Sequence, residues 1–99
     1  ESLFVPFFGV QAATRAALPR FAKLGGAVVV PCITRMLPRG EGYVVELGEP
    51  WQNFPGESVE GDARRMNAFL EDRIRTMPAQ YYWVHRRFKT RPPGEPSVY

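Results

Sequence analysis

The chain opens on an almost unbroken apolar run, Leu3-Phe4-Val5-Pro6-Phe7-Phe8, that stops at Gly9. Its aromatic and β-branched content predicts a short buried strand. Pro6 places that strand at a sheet edge or close to its own end, where a missing N–H does no harm. The alanine-rich stretch from Gln11 to Leu24 reads as a helix. Pro19 implies a kink there, or two short pieces, because it removes a backbone bond and clashes with the carbonyl four residues earlier. Gly25-Gly26 ends this helix in the left-handed manner. Ala27 to Ile33 is β-branched and apolar on both faces, the pattern of an interior strand covered from both sides. Pro38-Arg39-Gly40-Glu41-Gly42 predicts a turn, and Tyr43 to Leu47 a strand that pairs back as a hairpin.

From Gly48 to Gly61 the pattern is that of a loop, punctuated by Pro50, Pro55 and Gly56 and anchored by Trp51 and Phe54. The period then becomes helical. Ala63, Met66, Leu70, Ile74 and Met77 recur every three or four residues, with Arg64, Arg65, Glu71, Asp72 and Arg75 largely on the opposite side. This predicts a helix over Val59–Met77, ended by Pro78, with one or two further helical turns over Gln80–Val84. No internal repeat or low-complexity tract interrupts the series. The order of elements is α/β, yet three strands are too few to cover both faces of an interior strand. The pattern predicts the C-terminal portion of a larger α/β sheet domain. The start at Glu1, without a methionine and directly before an apolar segment, suits part of a longer chain.

Composition narrows the class without reaching the chemistry. An apolar content of 44 % and a charged content of 23 % in 99 residues exclude a disordered tail, and ten prolines with nine glycines exclude a long coiled coil. Cys32 is the single cysteine, so no intrachain disulfide and no four-thiolate metal site is possible; it reads as a small buried hydrophobe in a reducing compartment. Ala27 to Ile33 is far short of the roughly 20 residues a spanning helix needs. The net charge of +3 is unevenly placed. From Gln80 to Tyr99, Arg86, Arg87, Lys89 and Arg91 stand against Glu95 alone, a surplus of three, so residues 1–79 balance. Such a cluster attracts phosphate, an acidic protein surface or an anionic membrane.

His85 is the only histidine. Acyl transfer commonly uses a histidine base oriented by a carboxylate. Glycerolipid-type acyltransferases carry His, four residues, then Asp or Glu, whereas here that acidic position is Thr90. His85 therefore reads as structural, and one His with one Cys leaves a metal short of ligands. No Gly-rich phosphate loop, Gly-x-Ser-x-Gly elbow or dinucleotide fingerprint is present. The densest signal is Tyr81-Tyr82-Trp83-Val84-His85-Arg86-Arg87-Phe88-Lys89-Thr90-Arg91-Pro92. Aromatics interleaved with bases suit a nucleic-acid strand. They equally suit rings packed into a core with arginines presented to phosphate or carboxylate. By itself this pattern leaves a free-standing basic module for anionic lipid or nucleic acid as an alternative.

The sixteen residues from Met77 to Pro92 closely resemble the C-terminal signature of the lipid A biosynthesis acyltransferases, the Kdo-dependent lauroyl/myristoyl transferases of Gram-negative bacteria. Phe4-Val5-Pro6-Phe7-Phe8-Gly9-Val10-Gln11-Ala12-Ala13-Thr14, Val29-Val30-Pro31 and Gly42-Tyr43 resemble further blocks of that family, in the same order. The resemblance implies the C-terminal part of a glycerolipid-acyltransferase-like mixed sheet flanked by helices, spanning residues 1–99 as a portion of one domain. It implies a fatty acyl donor on acyl carrier protein and a hydroxyl of a lipid A precursor as acceptor. The partners it implies are these two and the inner membrane surface, at the cytoplasmic face, with no nucleic acid and no cofactor. The family's His–Asp/Glu pair and N-terminal anchor have no counterpart here, so the chain alone is expected to be catalytically incomplete. Arg86, Arg87, Lys89 and Arg91 are the expected substrate contacts, since both substrates are anionic.

Overall fold

The computed structural model describes residues 2–99, and it resolves the opening apolar run into half of a hairpin. Strand β1 (Ser2–Phe7) pairs antiparallel with β2 (Val10–Arg15), Phe7 lying opposite Val10 and Ser2 opposite Arg15. Phe8 and Gly9 form the two-residue connection with φ of 51° and 75°, the pair of positive values that a type I′ hairpin turn requires. The expected helix from Gln11 is therefore a strand in its first half. Burial there alternates, with Ala12 and Thr14 inside and Gln11 and Arg15 outside. Pairing with β1 and cover on the inner face outweigh the helix preference of the alanines.

Helix α1 (Ala17–Gly25) starts two residues before Pro19. The proline thus sits in the first turn, where its missing N–H has no intrahelical partner to lose, and no kink follows. Gly26 closes the helix at φ 56°, its N–H returning to Lys23 and Ala22 carbonyls, as the glycine pair predicts.

The next hairpin forms where expected but in shifted register. Strand β3 (Cys32–Met36) pairs antiparallel with β4 (Tyr43–Leu47), and Pro38–Gly40 makes a 3-10 turn between them. Ala27–Pro31 lies outside the strand, held by the Gly48 N–H on the Pro31 carbonyl (2.9 Å) and the Trp51 N–H on the Val29 carbonyl (2.8 Å). This run is not an interior strand: Val28 and Val30 are exposed, and so is Cys32, which was expected to be buried. The face carrying Met36, Tyr43, Val45 and Leu47 is open as well. The cause is a shortage of cover. The long helix α2 (Val59–Thr76) packs chiefly on β1, and clefts of about 100 and 190 Å³ separate it from the β3–β4 hairpin.

Helix α2 matches its predicted span almost to the residue. The Ser58 hydroxyl accepts the Gly61 N–H at 3.0 Å as an N-cap. Glu60 and Asp62 lie in the first turn and Arg73 and Arg75 in the last, both favourable to the helix dipole. Its buried seam runs through Ala63, Asn67 and Ile74, while Leu70 from the expected stripe is partly exposed. Trp51 and Phe54 anchor the preceding loop as predicted. Trp51 meets Phe54 and Phe69 edge-on at 5.0 and 5.6 Å, and the Arg65 guanidinium covers its ring at 4.7 Å. Beyond α2, a 3-10 turn over Pro78–Gln80 replaces the helical turns expected at Gln80–Val84, because Tyr81 is already extended.

The α/β reading thus holds, but the strands make two separate two-stranded sheets rather than one mixed sheet. A small aromatic core, Phe7 with Ala12 and Ile74, lies between the first hairpin and α2, and Phe8, Tyr81 and Phe88 close around it.

Candidate functional site

The C-terminal basic segment returns to the first hairpin because its aromatic residues have a core to enter. Tyr81 and Phe88 approach Phe7 with ring centroids at 6.4 and 6.0 Å. Trp83 stacks edge-on against Tyr81 at 4.7 Å, and its indole N–H donates to the Pro78 carbonyl at 2.7 Å. Between these anchors the backbone advances in tight turns: the His85 N–H reaches the Tyr82 carbonyl, Arg87 reaches His85, and Lys89 reaches Arg86. Turns of this kind send successive side chains to different sides. A cavity of about 340 Å³, lined mainly by Phe7, Phe8, Tyr81, Phe88, Val98 and Tyr99, lies under the segment with His85 and Arg87 at its wall.

The four bases divide two and two. Arg87 is half-buried over the Phe7 ring at 5.1 Å. Its guanidinium donates to the Ala13 carbonyl at 2.8 Å, to the Thr14 hydroxyl at 3.0 Å and more weakly to the Asn67 Oδ1 at 3.5 Å. Arg91 has a side chain only 12 % exposed and donates to the Gln11 carbonyl (2.6 Å), the Pro96 carbonyl (3.2 Å) and the Glu95 carboxylate (2.7 Å). Both are tied to the protein. Arg86 and Lys89 face solvent. Arg86 lies over the Tyr99 ring at 5.4 Å, and the Lys89 ammonium meets no partner among the described residues. Glu71 and Asp72 on α2 pair with Arg75 rather than with any of these four bases, and Glu71 also accepts the Phe8 N–H at 3.1 Å.

Three polar residues that pattern reading overlooked hold this arrangement. Asn67, 2 % exposed, donates from Nδ2 to the Pro6 carbonyl (3.1 Å) and the Thr14 hydroxyl (3.2 Å). Thr14 donates to the Ala12 carbonyl at 3.0 Å, so its hydroxyl gives one bond and accepts two. Gln80 grips β3 from the other side: its amide accepts the Met36 N–H at 2.7 Å and donates to the Met36 carbonyl at 3.1 Å, as a neighbouring strand would. The available signal for Asn67 was its place in line with Ala63 and Ile74 on an otherwise apolar face.

His85 is exposed, and no carboxylate among the described residues hydrogen-bonds to it. No three His, Cys, Asp or Glu side chains gather at metal-binding distance among the described residues. Among the described residues no helix is long and apolar enough to cross a membrane.

Comparison with known proteins accounts for this segment. The model of the bacterial lipid A biosynthesis acyltransferase family matches residues 1–90. Over the whole chain it is 44 % identical to the lipid A biosynthesis lauroyltransferase of Escherichia coli K12, covering 33 % of that protein. It is 35 % identical, over 99 % of its own length, to the palmitoleoyltransferase of the same organism, of which it covers 32 %; the myristoyltransferase is 33 % identical, with 31 % covered. The chain thus spans about a third of the length of the curated relatives it matches. No solved structure matches it. With nine-tenths of its residues inside the family model, and the aromatic-basic segment among them as far as Thr90, the chain belongs to the bacterial lipid A biosynthesis acyltransferase family.

Proposed function

We propose that the chain is the C-terminal portion of an enzyme that moves a fatty acyl group from acyl carrier protein to a hydroxyl of a lipid A precursor, at the cytoplasmic face of the bacterial inner membrane. In this reading a glycerolipid-acyltransferase-like sheet is completed by strands outside residues 1–99, which cover the open face of β3–β4. In such a transfer the acceptor hydroxyl loses its proton to a base as its oxygen attacks the thioester carbonyl, and the carrier thiol leaves. The base and its orienting acid lie outside these residues, since His85 is the only histidine and Thr90 stands where the acid belongs. What this portion supplies is substrate contact. The observation that carries the proposal is the placement of Arg86 and Lys89: outward, on either side in sequence of the cavity-lining Arg87 and Phe88, with Arg86 over the ring of Tyr99 at the cavity wall, on a segment pinned from behind by Arg87 and Arg91. An anionic amphiphile with phosphates and Kdo carboxylates on its head, or the acidic surface of the carrier protein, suits that pairing of free charge and apolar wall.

The assay is acyl transfer from acyl carrier protein to a lipid A precursor. The full-length protein should transfer, and residues 1–99 purified alone should not. Transfer by the isolated chain above background, abolished by His85→Ala, overturns the assignment of the base to other residues.

A further inference from the structure

Arg91 holds two parts of the molecule at once. Its guanidinium reaches β2 through the Gln11 carbonyl (2.6 Å), and it also takes the Glu95 carboxylate (2.7 Å) and the Pro96 carbonyl (3.2 Å) of the chain that follows. A turn closed by the Glu95 N–H on the Pro92 carbonyl (3.1 Å) brings that chain round. Residues 92–99 thus form a return strap whose far end lies over the aromatic cavity, where Val98 and Tyr99 are part of the lining. There the Tyr99 hydroxyl accepts the Phe88 N–H at 2.9 Å, and the Tyr99 N–H donates to the Ser97 hydroxyl at 3.1 Å. The face of the Tyr99 ring carries the Arg86 guanidinium at 5.4 Å. One side chain is therefore a wall of the cavity, a latch on the basic segment and the seat of an outward base.

We infer that Tyr99 is a positioning residue for substrate binding: it seats the Arg86 guanidinium at the mouth of the apolar cavity, so that charge and apolar wall face one anionic amphiphile at a fixed spacing. An exposed arginine has many rotamers, and binding must give up that freedom unless something has already taken it. Among the described residues no carboxylate pairs with Arg86, so the ring is what fixes the place of its charge. A ring suits the task better than a carboxylate would. Stacking holds the planar guanidinium while leaving its N–H groups and its full charge for incoming oxygens, whereas an ion pair would spend both. The latch to Phe88 fixes the ring in turn. Tyr99 is 58 % exposed and stands outside the Phe7, Ala12 and Ile74 core, so its place in the fold is peripheral. The inference deepens the substrate contact proposed above for Arg86 and rests on it.

The test uses the full-length enzyme, with KM read for the anionic substrate that Arg86→Gln affects and the melting temperature beside it. Tyr99→Leu keeps an apolar wall but removes the ring face and the latch. It should raise that KM about two- to fivefold, the range of one exposed cation–ring contact, at unchanged kcat and melting temperature. Tyr99→Phe keeps the ring and loses only the latch, so its KM should fall between wild type and Tyr99→Leu. Hydrogen exchange at the Phe88 amide should quicken in both variants. In the Arg86→Gln background Tyr99→Leu should add no further rise, because the ring acts through the guanidinium. A wild-type KM in Tyr99→Leu, while Arg86→Gln raises it, overturns the inference alone. So does a rise that persists undiminished in the Arg86→Gln background, which makes Tyr99 a substrate contact in its own right, or one matched by lost stability, which makes it structural. If Arg86→Gln changes KM for neither substrate, the contact proposed above fails and this inference falls with it.

Discussion

Arg86 and Arg87 are sequence neighbours with opposite surroundings, and the turn between them decides it. The expectation that Arg86, Arg87, Lys89 and Arg91 act together rested on charge alone, and charge does not say which way a guanidinium points. The carbonyls of Gln11 and Ala13 on β2 take two of the four. That outcome was illegible because β2 itself was expected to be helix. Asn67 is a second case: a polar residue in an apolar stripe is invisible until Pro6, Thr14 and Arg87 arrive around it. Asn67→Ala should therefore destabilise by about 1–3 kcal/mol, the usual cost of leaving buried partners unmatched, with a lower melting temperature as the readout. Gly9 gives a cleaner case. At φ +75° an added Cβ meets nothing within 4 Å, so the cost of Gly9→Ala is conformational only and should be about 1–2 kcal/mol in chemical denaturation.

Elements were legible where period and punctuation agreed. Helix α2 has a 3.6-residue stripe, a serine cap and a proline stop, and its predicted and observed spans differ at one residue. The second hairpin was legible from its glycine-rich turn, though its register slipped because Ala27–Pro31 pairs irregularly through Val29 and Pro31. The first hairpin failed for a physical reason: Phe-Gly is a weak turn signal, since a bulky residue at φ 51° is uncommon and here is held by Glu71 and by the edge of Phe7. Pro19 implies a kink or two short pieces in a helix running from Gln11, and it becomes a helix starter once the helix begins at Ala17. The grip of Gln80 on β3 carries an element-scale prediction. Gln80→Ala removes both bonds to Met36, so hydrogen exchange at the Met36 amide should quicken about tenfold while α2 amides stay unchanged. Equal exchange at Met36 in both proteins would show that the hairpin is held by other contacts.

At the scale of the whole molecule the chain is a slab, 44 × 39 × 18 Å, with a radius of gyration of 15.2 Å where a compact chain of about 100 residues has roughly 13 Å. Open apolar positions on α1 and β4 belong to the same picture. The 99-residue chain alone should associate as its concentration rises, or melt over a broad range. Sedimentation velocity over a concentration series reads this, and a monomer with one sharp, reversible, concentration-independent transition would contradict it. The family was legible in the sequence because a sixteen-residue signature survives any error about secondary structure. What the segment does for the enzyme was only half legible, since that depends on which bases the fold consumes. The most direct measurement is to change Arg86, Arg87, Lys89 and Arg91 singly to Gln in the full-length enzyme and record KM for each substrate beside the melting temperature. An exposed contact is worth less than about 1 kcal/mol and a partly desolvated contact to phosphate about 1.5–3 kcal/mol. Arg86→Gln and Lys89→Gln should accordingly raise KM for the lipid A precursor or the acyl carrier protein, from a few-fold upward, at unchanged melting temperature. Arg87→Gln and Arg91→Gln should lower the melting temperature by several degrees. If all four variants lose activity only in proportion to stability, the outward bases do not bind substrate and the segment is purely structural.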